Sequence, residues 1–190
     1  MKSTCVFVVW LSLSLPAPVA AQNMGAVRAL DPPCAEALDY GHDGSEAFRD
    51  LVAEIDTFRV IVHVTTGDTV FFGMAGTTRL AGVVGGWRYL RVVLRSHLSL
   101  EERASVLGHE LQHVREIAQS SASTQQEVRA LYDDIGRPVA GVHDAFETVE
   151  ASDAGLRVLR ELRSAGKLAR REAALARRPR SRGGRGSPVQ

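Results

Sequence analysis

The sequence lacks a second cysteine where one would matter. Of its two cysteines, Cys5 lies in an apolar leader and Cys34 stands alone in the body. No disulfide within the body is therefore expected, and the fold must rest on its core and on any metal it binds. Long hydrophobic runs are also missing. The most apolar stretch, Val6 to Leu15, has ten residues, far short of the ~20 that span a bilayer, so no membrane span is expected. With Lys2 in front, Pro16 behind and Val19-Ala20-Ala21 closing it, the stretch reads as a secretory signal over 1–21, cut before Gln22. That places the protein outside the cytoplasm, secreted or periplasmic. Asp31-Pro32-Pro33 before Cys34 is unlike the small apolar residues of a lipobox, so no lipid anchor is expected.

Aromatic residues are absent from the strongly basic end of the chain. From Lys167 to Gln190 there are eight basic residues against Glu172, a local +7; the remainder, Lys2 aside, has 14 basic and 21 acidic residues, or −7. The overall +1 thus hides an acidic body and a basic tail. Rich in Gly, Pro and Arg with nothing to stack on bases, residues 166–190 read as a disordered, solubilising tail, and no nucleic-acid partner is expected. With 45% hydrophobic and 24% charged residues and no internal repeat, the rest suits one modest soluble domain.

Hydrophobic periodicity divides that domain. Residues 22–43 read as a mobile N-terminal segment. Asp43 and Glu46 offer a capping box to a helix over 44–56 with Phe48, Leu51, Val52 and Ile55 on one face. Short β-branched and aromatic runs follow at Phe58–Val64, Thr69–Phe72, Arg79–Val84 and Tyr89–Leu94, punctuated by glycines. At Ser99 the period changes from two to 3.6. Ser99 and Glu102 cap a helix over about 100–118, Thr124 and Glu127 cap another that ends at Gly136, and a last helix runs over about 144–164 with fraying to 176. The expectation is an α+β fold with a small, curved, mainly antiparallel sheet packed against helices, in a domain over 44–165.

One pattern carries chemistry. His109-Glu110-Leu111-Gln112-His113 is an HExxH on the segment assigned as a helix by its cap and period. Residues i and i+4 stack on one helix face, so both imidazoles can bind one Zn²⁺, with Glu110 beside the metal to take a proton from water and return it to a leaving amine. Gly73–Gly76 and Gly85–Gly86 lack a following Lys or helix start, which excludes a phosphate loop.

Val106-Leu107-Gly108-His109-Glu110-Leu111-Gln112-His113-Val114 resembles the zincin metallopeptidases. The metzincin spacing would require Gly at 116 and His at 119, where this chain has Glu116 and Gln119. In the gluzincin branch the third ligand is a glutamate on a later helix, and Glu147 and Glu150 compete for that role. Helical steps from Glu147 reach Ala151, Ala154, Val158 and Leu162, an apolar stripe; from Glu150 they reach Ala154, Arg157 and Glu161. The spacing favours Glu147 as the inward carboxylate. Four residues after it, where that group often has an Asp that orients a histidine, stands Ala151; Asp153 or Glu116 could supply such an acceptor. The resemblance implies a zinc-dependent peptidase with His109, His113 and Glu147 as ligands, Glu110 as general base and a peptide or protein substrate. His143 and Tyr132 are candidate stabilisers of a tetrahedral oxyanion. His63 reads as a strand residue, and His42 and His97 as loop or cap residues. Either Gly82–Val84 or Tyr89–Leu94 could offer a strand edge to an extended peptide. The rival expectation is a non-catalytic metal-binding or interaction protein of the cell envelope, its metal closed off by Glu150 or His143 as a fourth ligand.

Overall fold

A computed structural model describes residues 23–68, 73–142 and 144–176. Residues 1–22, which include the expected signal, the run Thr69–Phe72, His143 and residues 177–190 lie outside the described residues; residues 166–176, expected to belong to a disordered tail, instead continue the last helix. Two short strands, β1 (Asn23–Met24) and β2 (Val27–Ala29), lead into helices α1 (Pro32–Gly44) and α2 (Glu46–Ile55). Strands β3 (Val60–Gly67), β4 (Gly76–Val84) and β5 (Trp87–Arg95) follow, then helices α3 (Leu100–Gln119) and α4 (Gln125–Ile135). The two-residue strands β6 (Arg137–Pro138) and β7 (Phe146–Glu147) precede the long helix α5 (Val149–Ala176). The fold is α+β, as expected from the order of elements.

The segment expected to be mobile, 22–43, instead carries β1, β2 and most of α1. Asp31 is the N-cap, accepting from Cys34 N at 2.9 Å, and Pro32 and Pro33 fill positions where a missing N–H costs nothing. Cys34, Ala35, Ala37, Leu38 and Gly41 are buried on the inner face of α1. The capping box at Asp43 is likewise replaced. Because α1 runs to Gly44, Asp43 lies in its last turn and Glu46 is the first residue of α2. Ser45 caps α2, its Oγ accepting from Phe48 N at 3.1 Å.

The sheet has the order β1-β2-β3-β5-β4 and is mixed rather than mainly antiparallel. β2 and β3 are parallel because α1 and α2 form the crossover between them. β4 goes to the far edge, and the tight Gly85–Gly86 turn brings β5 back between β4 and β3, parallel to β3 and antiparallel to β4. Both turn glycines have positive φ (58° and 79°), the geometry of a two-residue hairpin. Tyr89–Leu94 is therefore an inner strand, and β4 is the edge.

Strand alternation sends Val60, Val62, Val64, Leu90, Val92 and Leu94 to one face, where all are fully buried against the helices. α3 lies at the centre, touching α1, α2, α5, β4 and β5. Arg88 holds its C-terminal end by donating to the carbonyls of Ile117, Ala118 and Ser120 at 2.6 to 2.8 Å.

Candidate metal centre

The site is built outward from α3. Its N-terminus has the expected capping box: Ser99 Oγ accepts from Glu102 N, and the Glu102 carboxylate accepts from Ser99 N at 2.9 Å. Thr124 and Glu127 form the second expected box on α4. About two and a half turns into α3 the small residues matter. A Cβ on Gly108 would meet Val158 Cγ2 at 2.8 Å, and one on Gly155 would meet His109 Cβ at 3.1 Å and Ser105 O at 3.3 Å. α3 and α5 thus cross in close contact where His109 sits.

Glu147 reaches the histidines by a different route from the one its spacing suggested. It lies on β7, before the helix, where a two-residue ladder pairs it with Arg137. α5 starts only at Val149, because Thr148 Oγ1 accepts from Ala151 N and caps the first turn. The apolar stripe is real from Ala151 onward, with Ala151, Val158 and Leu162 buried. Glu147 is not part of it, and the gluzincin placement of a third ligand on a helix is not kept. Glu150 is exposed in the first turn of α5.

His109, His113 and Glu147 form a group that could hold a metal ion, with one ligand atom from each lying within 4.8 Å of the others. His109 Nε2 is 3.4 Å from Glu147 Oε2. Zinc–nitrogen and zinc–oxygen bonds of ~2.0–2.1 Å at a tetrahedral angle require an edge of roughly 3.3–3.4 Å, so this pair already has the separation of two ligands on one ion. Glu116 Oε2 lies 2.9 Å from His113 Nδ1, which directs Nε2 of that ring toward the group. Glu116 is itself fixed by Gln112 Nε2 at 3.2 Å and by Thr148 Oγ1, which donates at 2.8 Å from the residue next to Glu147. Of the two acceptors proposed from sequence, Glu116 is in place, whereas Asp153 is exposed.

Glu110 is buried beneath the group, and Thr78 Oγ1 on β4 donates to its Oε2 at 2.7 Å. Burial pushes its carboxyl above the ordinary range, against the pull of His113 and of the Thr78 bond. His109 is pushed down by burial and by repulsion from His113, which favours the neutral, ligating imidazole. Around His113, burial is the largest influence and would favour the uncharged forms, but the Glu116 bond together with the charges of Glu110, Glu116 and Glu147 outweighs it for the ring, and the bonds from His113, Thr148 and Gln112 with the His113 charge outweigh it for Glu116, holding the ring up and the carboxyl down. Three carboxylates around two imidazoles make a pocket that favours a cation.

Tyr132 is buried on α4, and its hydroxyl donates to His113 O at 3.2 Å while lying 3.3 Å from His113 Nδ1. It braces the histidine from the Glu116 side and also lines the cleft over the group, and Phe146 stacks on its ring. His63 lies half-buried on β3, and His42 is in the last turn of α1.

A cleft of about 870 Å³ opens over the group, walled by β4 from Gly76 to Arg79, by α3 and by α4. The sequence did not reveal Thr78 or Thr148. Their hydroxyls matter only because the fold sets β4 and β7 against α3, and no local pattern records that. Among the described residues no helix is long and apolar enough to cross a membrane. No protein-family model, curated protein or solved structure matches the chain.

Proposed function

We propose that this chain is an exported zinc-dependent peptidase that hydrolyses peptide bonds with His109, His113 and Glu147 as metal ligands and Glu110 as general base. The observation that carries the reading is the juxtaposition of the three-donor group with a buried carboxylate, Glu110, at the floor of an open cleft. Two imidazoles and one carboxylate suit zinc, and three protein ligands leave a position for water and substrate. Zinc bound there would polarise a carbonyl and lower the pKa of a water molecule. Glu110, its carboxyl raised by burial, is a stronger proton acceptor than an exposed glutamate, suited to take a proton from water and pass it to the leaving amine. Thr78 keeps that carboxylate in one orientation throughout.

The edge strand β4 supports a peptide substrate. Its Gly76–Arg79 stretch lines the cleft, and an extended peptide could add to its open side by main-chain hydrogen bonds. The test is elemental analysis of the purified chain together with cleavage of a fluorogenic peptide library. One zinc per chain is expected, and Glu110→Gln should keep the zinc while losing about 10²–10⁴-fold in rate. No stoichiometric metal in the parent, or undiminished cleavage by Glu110→Gln, would overturn the reading. Zinc without cleavage would instead favour a metal-binding protein with no catalysis.

A further inference from the structure

The sheet face that points away from the helices carries a charge pattern unlike the rest of the chain. β2 to β5 contain five arginines, of which Arg88 alone is turned to α3, one histidine and no carboxylate, although the body as a whole is acidic. Strand register brings four of these residues into one transverse row. Arg28 stands opposite His63, His63 opposite Arg91, and Arg91 opposite Arg79. Neighbouring cations across strands are unfavourable, and neither Arg28 nor Arg91 has an ion pair among the described residues. Arg91 is exposed, and the buried Nε of Arg28 has no hydrogen-bond partner.

A second feature lies on the same face. Because side chains alternate along a strand, Trp87 shares the face of Tyr89 and Arg91, and Val84 stands opposite Trp87 in the register. Val84 is 68% exposed and Trp87 41%, at the tip of the β4–β5 hairpin. Arg59 lies beside this tip, its Nη1 3.6 Å from where a Cβ on Gly86 would sit. An aromatic and an aliphatic side chain at a protruding turn, with guanidinium groups beside and behind them, match the layers of a lipid interface: apolar at the acyl boundary, cationic at the headgroups.

We propose that this face docks peripherally on a bilayer rich in anionic phospholipid, with Val84 and Trp87 entering the interface and the row through Arg28, His63, Arg91 and Arg79 lying over the headgroups. An acidic polymer would pair with Arg28 and Arg91 but give Val84 and Trp87 nothing to enter, which is why the lipid surface is the occupant chosen. The other end of β4, at Gly76–Arg79, lines the metal cleft, so docking would hold that cleft near a membrane surface. The proposal does not depend on the cleft being catalytic.

The test uses the full chain carrying Trp10→Phe, which leaves Trp87 as the single tryptophan. Its emission is followed as vesicles of phosphatidylcholine, alone or with an equal part of phosphatidylglycerol, are added, and again with acyl-brominated lipid. A blue shift and bromine quenching that require phosphatidylglycerol are the expected result. Arg91→Glu should weaken the titration at least fivefold, roughly the effect of one cation at an anionic surface. Val84→Asp, at an exposed position, should abolish the quenching while the far-ultraviolet spectrum stays unchanged. Vesicle binding without any change at Trp87 would assign binding to the leader or the basic tail and overturn the proposal. Equal shifts with both vesicle types, or Trp87 protection by an acidic peptide alone, would overturn it as well.

Discussion

Gly76 has no side chain where Glu110 needs the room. A Cβ there would lie 2.5 Å from Glu110 Oε1 and 2.8 Å from Val106 Cγ1, and Glu110 is already fixed from the same strand by Thr78. Gly76→Ala is expected to displace Glu110, the proposed general base, while leaving the histidines in place. Cleavage should fall at least tenfold, on the scale of a misplaced proton-transfer group, with zinc content unchanged by elemental analysis. Glu116 acts on the metal side instead. Its carboxylate ties His113 to Thr148, the neighbour of Glu147, so it sets the spacing of two candidate ligands from different elements. Glu116→Ala is expected to weaken zinc about 10–100-fold in a chelator competition, as loss of a partner behind a ligating histidine does. Glu116→Gln, which can still accept from Nδ1, should retain more of the affinity. The two histidines and Glu110 were legible because their spacing is local to one helix. Thr78, Thr148 and Gly76 were not, since each meets α3 only through tertiary packing.

Between elements, the α3–α5 crossing decides where His109 stands. The atoms nearest Gly155 are the backbone of Ser105 and the Cβ of His109, neither of which can turn aside. Gly155→Ala should therefore push the helices apart, offsetting its gain in helix propensity of about 1 kcal/mol. Weaker zinc binding is expected even if the thermal midpoint hardly moves; unchanged affinity would remove the crossing from the account. Asp31 ties α1 to the end of β3. It accepts from Cys34 N, from Thr65 Oγ1 and from both N and Oγ1 of Thr66. Burial raises its carboxyl, but the bonds from Thr66, Cys34 and Thr65 together outweigh this and hold it below 3.8. A depressed folded value means the stabilisation is complete above the unfolded value and disappears as pH falls through the folded one. The urea midpoints of parent and Asp31→Asn should differ by a constant amount from pH 7 to about 5 and converge below about 4. This tie also explains an element the periodicity missed. The signals of α1 were Asp31 at the N-cap and two prolines behind it, and they are readable only if Asp-Pro-Pro is taken as a helix start. The mixed sheet was less accessible still, because strand order depends on β4 passing to the edge, and nothing in the runs of β-branched residues encodes that.

At the scale of the whole molecule, a metal would be the tie that the cysteines cannot provide. Cys34 is buried in the core, and the chain's other cysteine is Cys5, near the start of the sequence. The candidate ligands join α3 to β7, so a bound ion would fasten the segment before α5 onto the central helix, where the packing of β7 is slight: two residues paired with two. An ion that binds the folded state alone stabilises it by about 4 kcal/mol at a thousandfold excess over its dissociation constant. For a domain of about 150 residues each kcal/mol corresponds to roughly 2–4 °C. Chelation should then lower the thermal midpoint of the parent by on the order of 10 °C. In His113→Ala the same treatment should change it little, because the ion would already be lost. Amide exchange after chelation discriminates between two structures of the apo state. If only the β7 segment loosens, amide exchange will increase at Phe146–Thr148 while α3 stays protected, since Leu107, Leu111, Val114 and Ile117 remain fully buried against the sheet. If α3 itself opens on chelation, the metal supports the core as well as the cleft, and Gly155→Ala should then lower the thermal midpoint of the zinc-loaded protein too.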